Sequence, residues 1–164
     1  MTLDHRRTGW LDKDFCQAFR EILLHSLVRY EACCPIYCLM SDHLHLMLVG
    51  WSLTADQLLL VRFLRKYLNE KLSAHGYKLQ KQAHDHVLES GELHPQEFEN
   101  AVRYIALNPV KAGIVADVEQ YEWTGTMLPG YPVLSLWSDS YWRIFWDQIS
   151  FRMEKAQASW NAPR

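Results

Sequence analysis

No apolar run in this 164-residue sequence is long enough to cross a bilayer. The longest lie at residues 32–40 and 58–64, against the roughly 20 residues a spanning helix needs. Residues 1–7, Met-Thr-Leu-Asp-His-Arg-Arg, put no apolar segment behind a basic start, so no export signal is expected and the cytoplasm is the expected compartment. Cysteine is scarce. The four present, Cys16, Cys33, Cys34 and Cys38, form no regular pairing framework and sit among apolar neighbours, the pattern of reduced, buried thiols. A zinc clip built on Cys33, Cys34 and Cys38 lacks the second spaced ligand pair that such a clip needs. Charge of one sign is lacking too: a net charge of -2 and a pI near 6.4 provide no global attraction for nucleic acid. Repeats and low-complexity tracts are absent, and a chain of this size, 49% hydrophobic, can bury one core of ordinary size with little left for a second.

The apolar residues that are present follow two periods. Over residues 11–30, Phe15, Phe19, Ile22, Leu23, Leu27 and Tyr30 recur at three and four, with Asp12 and Asp14 at the dipole-favoured start of an amphipathic helix. Pro35 excludes continuation of that helix, and residues 36–40 and 44–50 then predict two strands joined at Ser41-Asp42. Thr54 is placed to cap a second helix whose Leu58, Val61, Leu64, Leu68 and Leu72 make one stripe, closed by Gly76. Residues 77–88 alternate enough for a strand, and His94-Pro95 with Glu97 opens a third helix that ends at Asn108-Pro109. The expected fold class is α+β: a sandwich of an antiparallel sheet with helices packed on it. Only residues 1–5 are available for a first strand, which is accordingly short or missing. We expect a catalytic domain over residues 1–125 and an aromatic-rich C-terminal extension over 126–164, packed on it. From Tyr121 onward, Trp123, Tyr131, Trp137, Tyr141, Trp142, Phe145, Trp146, Phe151 and Trp160 either bury against the domain, the commoner use of aromatics, or stack on unpaired bases.

Two constellations carry chemistry. In a strand, residues two apart share a face, so His43 and His45 project together while Leu44, Leu46 and Leu48 project to the core. Two neutral imidazoles so placed can hold a divalent ion if a further ligand arrives, although a His-x-His pair alone leaves ordinary strand histidines equally open. The second is Tyr104-Ile105-Ala106-Leu107-Asn108-Pro109-Val110-Lys111-Ala112-Gly113. At i and i+4, Tyr104 and Asn108 share a helical face, presenting a phenol and an amide together; a packed tyrosine and a capping asparagine remain open. A local basic stretch, Arg62, Arg65, Lys66, Lys71, Lys78 and Lys81 against Glu70 alone, is either a solvated helix face or a track for phosphates.

Met40-Ser41-Asp42-His43-Leu44-His45-Leu46-Met47, followed downstream by the tyrosine segment, resembles the single-tyrosine HUH transposases, particularly the REP-associated tyrosine transposases. The resemblance spans residues 9–123 and includes Asp85-His86-Val87-Leu88 and Tyr121-Glu122-Trp123. It implies a ferredoxin-like sheet with the histidine strand at its centre and the tyrosine helix beside it. His43 and His45 then match the metal-binding pair, Asn108 the polar residue that aids the metal, and Tyr104 the nucleophile. The implied cofactor is Mg2+ or Mn2+. Where the family commonly has Pro-Asn, His and Arg, this chain has Ser41-Asp42, Ala106 and Lys111, and its front is abbreviated. A missing first strand would expose a sheet edge, implying an inactive remnant or a homodimer that covers it.

The implied activity is nicking and joining of single-stranded DNA, near hairpins, through a 5'-phosphotyrosine intermediate, with the basic residues from Arg62 to Lys81 on the phosphates. Two readings from other classes stand beside it. One is a DNA-binding module of the same fold without turnover. The other is a metal hydrolase that uses an activated water and has no need of Tyr104.

Overall fold

Asp12 sets the first helix: its carboxylate accepts from the Phe15 amide at 2.7 Å, satisfying a donor that the first turn cannot. Helix α1 (Lys13–Arg29) buries Phe15, Phe19, Leu23 and Leu27, one residue per turn. Glu31, at φ 50°, turns the chain into strand β1 (Ala32–Leu39), which pairs antiparallel with β2 (Leu44–Gly50) from Leu39 opposite Leu44 to Ala32 opposite Gly50. The computed structural model describes residues 1–81 and 94–161, with side chains to 158.

β1 begins at Ala32, four residues before the strand expected over residues 36–40, because Pro35 lies inside it. Between Cys33 and Ile36 the register shifts, and this bulge accommodates a residue with no amide hydrogen to give the ladder. The freed Pro35 carbonyl accepts the buried Tyr141 hydroxyl at 2.9 Å. A third strand, β3 (Thr124–Met127), pairs with the other edge of β1, so the order is β2-β1-β3 and β1, buried throughout, is central to these three. Gly125 in β3 is required by close approach: a Cβ there would stand 2.6 Å from the Tyr37 hydroxyl.

The front of the chain forms no full strand, but it does pair with the sheet. Thr2 bridges His43 and Leu3 bridges Leu79, both antiparallel. The Leu44 amide donates to the Met1 carbonyl at 2.7 Å and the Gln80 amide to the Thr2 carbonyl at 2.8 Å. Residues 2–3 therefore continue the sheet beyond β2, and the histidine strand has partners on both sides. Of the strand expected over residues 77–88, Leu79 takes part in a bridge; residues 82–93, with Asp85-His86-Val87-Leu88, lie outside the described ones.

Helices cover both faces. On one, α1 and α2 (Gln57–Ser73) enclose Leu60, Leu64, Leu68 and Leu72 with Cys34, Tyr37, Leu39 and Leu44. On the other, α3 (Pro95–Ala106) and α5 (Tyr141–Asn161) close over Cys33, Ile36 and Met47 with Phe98, Val102, Tyr141 and Phe145. Consecutive Cys33 and Cys34 thus enter opposite cores and cannot share an ion with Cys38; burial raises the Cys33 thiol to about 12 and Cys34 higher still, so both remain protonated. Trp142, Phe145 and Trp146 pack around Phe98, and Tyr141 on Trp142 and Phe145, which is the burial use of this part of the aromatic run.

Two local expectations need correction. The α2 cap is Asp56, which accepts from the Leu59 amide at 2.8 Å, whereas the Thr54 hydroxyl donates to Glu31 at 2.6 Å. Leu60 rather than Leu58 or Val61 heads the buried stripe; Leu58 is exposed. In Leu58-Leu59-Leu60-Val61 every position is apolar, so periodicity has nothing to select with, and the i−4 step from Leu64 decides. α3 does stop before Asn108, and the chain restarts at once in the single turn α4 (Asn108–Lys111), where Pro109 needs no donor. Among the described residues no helix is long and apolar enough to cross a membrane.

Candidate active site

β2 places the histidines. Leu44, Leu46 and Leu48 pack with α1 and α2, whereas Met47 and Val49 belong to the core under α3. Alternation therefore puts His43 and His45 on the α3 side. Their Nε2 atoms stand 3.0 Å apart, with the rings edge to face at 84°. His43 Nδ1 lies 2.6 Å from Asp42 Oδ1, and Asp42 Oδ2 accepts from Arg6 Nε at 2.7 Å. The turn that carries this arrangement is itself fastened: Trp10 Nε1 donates to the Ser41 carbonyl at 2.6 Å, and the Leu3 amide to the Asp42 carbonyl at 3.0 Å.

Electrostatics favour a neutral ligand at the second histidine. Burial first, then the neighbouring His43 and the amino terminus, lower His45 from its ordinary value to about 4. Asp42 is also held low: burial opposes this, but hydrogen bonds from His43 and Arg6 outweigh it and keep the carboxylate ionised. Two imidazole nitrogens each about 2.1 Å from one ion, at a right angle, are about 3.0 Å apart, which is the separation found between the two Nε2 atoms; with no ion between them the same separation is a hydrogen bond from one ring to the other. The pair fits two adjacent positions on a divalent cation. No group of three His, Cys, Asp or Glu side chains surrounds an ion among the described residues, so the pair needs a ligand of another kind.

Asn108 carries an oxygen of that kind. Its amide nitrogen donates to the Ile105 carbonyl at 2.9 Å and, at 3.4 Å, to that of Tyr104. The side chain thus caps the end of α3, as a capping asparagine would, while its oxygen has no hydrogen-bond partner among the described residues. Tyr104 is 62% exposed on α3, and Lys111 Nζ sits 3.2 Å from the centre of its ring. The next residue, Ile105, packs against Cys38, Met40 and Tyr121, and Cys38 is the register partner of His45. The tyrosine end of α3 is thereby anchored on the histidine face of the sheet, beside the histidine strand.

The basic stretch is not brought there. Arg62, Lys66 and Lys71 ride on α2, against the opposite face of the sheet. Lys66 pairs with Glu70 at 3.9 Å, and Lys78 with Asp4 at 3.2 Å. Arg65 is half-buried and donates to the carbonyls of Gln80 and Lys81, so it serves the chain turn after α2 rather than solvent. Arg62 and Lys81 are exposed. Sequence reasoning passed over Asp42 and Arg6. A carboxylate immediately before a strand histidine was the available signal for Asp42; Arg6, 36 residues earlier, had none.

The sequence matches no family model and no curated protein. Its fold does have a likeness among solved structures: a REP-associated tyrosine transposase bound to a REP hairpin, with a TM-score of 0.62 over 75% of this chain and 71% of that one, at 18% identity. At that identity the likeness concerns the fold, and the fold is of the α+β class expected from the order of helices and strands.

Proposed function

We propose that this protein nicks and rejoins single-stranded DNA beside a hairpin, with Tyr104 as nucleophile and a divalent metal, Mg2+ or Mn2+, held by His43, His45 and Asn108. The observation that carries the reading is the histidine pair: two Nε2 atoms at ligand spacing, on the sheet face where the helix bearing an exposed tyrosine is anchored. The hairpin bound by the structurally similar transposase supports the choice of DNA.

When bound, the metal would neutralise charge on the scissile phosphate. The chain's own residues supply the rest. His43 and His45, through Nε2, and the oxygen of Asn108 would be the metal's donors. The Tyr104 oxygen attacks phosphorus in line as its proton departs; the new bond is tyrosine oxygen to phosphorus, and the bond broken is phosphorus to the 3'-oxygen. The 3'-oxygen takes up a proton, leaving a 3'-hydroxyl and a 5'-phosphotyrosine. Because the phosphodiester is exchanged rather than hydrolysed, a 3'-hydroxyl can reverse the step and join strands without ATP. Arg62, Lys66, Lys71, Lys78 and Lys81 are proposed to contact backbone phosphates of the flanking strand, while Arg65 stays on the Gln80 and Lys81 carbonyls. Their position on the other side of the sheet requires that strand to pass round its edge.

A labelled hairpin flanked by single-stranded DNA, incubated with the protein and Mn2+, tests the reading. A covalent adduct that is lost in Tyr104→Phe and in His43→Ala supports it. Binding with no adduct identifies a DNA-binding module of the same fold. Cleavage that survives Tyr104→Phe but not His43→Ala identifies water as the nucleophile.

A further inference from the structure

We infer that Asp42, held from behind by Arg6, is a positioning residue that orients His43 for the metal; the inference rests on the metal site proposed above. Asp42 sits where a carboxylate has most effect on an imidazole, with Oδ1 2.6 Å from Nδ1. In that bond Nδ1–H donates, so that in the neutral ring Nε2 is the nitrogen left to accept, and it faces the space shared with His45. Metal-ligating histidines commonly carry such a partner, which fixes the tautomer and the ring direction and makes the ligating nitrogen more basic.

The carboxylate is itself fixed. Arg6 Nε donates to Oδ2 at 2.7 Å, the oxygen that His43 does not use. Reaching it requires an unusual backbone: His5 and Arg6 both lie at positive φ, 54° and 50°, a region L residues rarely adopt. That turn is held by the Arg6 amide on the Leu3 carbonyl at 2.9 Å and by Lys78 on Asp4 at 3.2 Å. A chain of interactions thus runs from Leu3 through Arg6 and Asp42 to His43. Arg6, in the turn after Leu3, supplies one of its links.

The test is Mn2+ binding to the full chain, without DNA, by titration calorimetry. Asp42→Ala is expected to weaken Mn2+ by about 10- to 100-fold. Asp42→Asn, whose oxygen still accepts from Nδ1–H, is expected to recover part of that loss. Arg6→Gln, which leaves the turn and Asp42 intact, is expected to weaken Mn2+ by a few-fold, and it keeps the inference testable if Asp42→Ala does not fold. His45→Ala tests the metal site itself. Mn2+ affinity unchanged in Asp42→Ala and Arg6→Gln while His45→Ala loses it overturns the role of Asp42 and leaves the metal site standing. Asp42→Asn no better than a folded Asp42→Ala overturns the hydrogen-bond basis. Absence of Mn2+ binding in the unaltered protein removes the metal site and the inference together.

Discussion

Lys111 Nζ stands 3.2 Å from the centre of the Tyr104 ring, joining the single turn α4 to the helix that bears the proposed nucleophile. The chain breaks at Leu107 between the two helices, and the break lets Lys111 fold back over the phenol. An ammonium on an exposed aromatic face contributes about 0.5–1 kcal/mol, which in the population of one ring orientation is a factor of about 2–5. Lys111→Met is therefore expected to slow formation of the DNA adduct by at least about twofold. Lys111→Arg, which keeps the cation, is expected to restore the rate. A time course of the adduct on a denaturing gel gives both numbers; equal rates in the unaltered protein and Lys111→Met would show the contact to be incidental.

Acid sensitivity follows from His45. Its folded value is lowered to about 4 from 6.5, chiefly by burial. Above pH 6.5 it is neutral folded and unfolded, and costs nothing. Between 6.5 and about 4 the unfolded chain takes up a proton that the folded chain refuses, so stability falls as pH falls; below about 4 the loss is constant. The thermal midpoint of the metal-free protein should drop through that window, and His45→Gln should drop less. Parallel curves for the two proteins would assign the acid sensitivity elsewhere.

Asp56→Ala is expected to cost about 1 kcal/mol, and Thr54→Ala less, because the first is the α2 cap. Urea unfolding of the two variants decides. The contrast also shows where sequence reasoning stops. His43 and His45 were legible because strand alternation is local and needs only two residues of context. The cap was misplaced by two residues because Thr54 and Asp56 are both good caps, and only the contact of Thr54 with Glu31 separates them. β3 escaped notice because Thr124-Gly125-Thr126-Met127 has little apolar pattern; it is a strand because it pairs with the edge of β1, where glycine at 125 makes room for Tyr37. The histidine half of the candidate site was therefore readable, while Arg6 on Asp42 depends on a long-range approach that no local pattern encodes.

Replacing Arg62 and Lys71 by glutamine is expected to weaken hairpin binding and to lower the slope of log affinity on log salt by about 1 for each phosphate no longer neutralised. Neither side chain takes part in an ion pair among the described residues, so no internal partner is stranded. Mn2+ affinity should stay unchanged, since α2 lies across the sheet from the histidines. A salt slope equal to that of the unaltered protein would mean that the α2 face is simply solvated, and that the DNA path lies wholly on the histidine side.

Phe145 decides between the two uses of the C-terminal aromatics. It is fully buried, stacked on Phe98 at 5.5 Å and 19° and on Tyr141 at 6.2 Å and 19°. Phe98 belongs to α3, so this packing supports the helix that carries Tyr104. Removing the ring leaves a cavity between α3 and α5 and should cost about 3–5 kcal/mol, against typical domain stabilities of about 5–15 kcal/mol. Phe145→Ala is accordingly expected to melt far below the unaltered protein and to lose adduct formation with it, whereas Phe145→Leu should retain most of both. If instead Phe145→Ala kept its melting temperature and lost affinity for unpaired bases, the ring would be a stacking platform, and α3 would have to be held on the sheet by Phe98, Val102 and Ala106 without it.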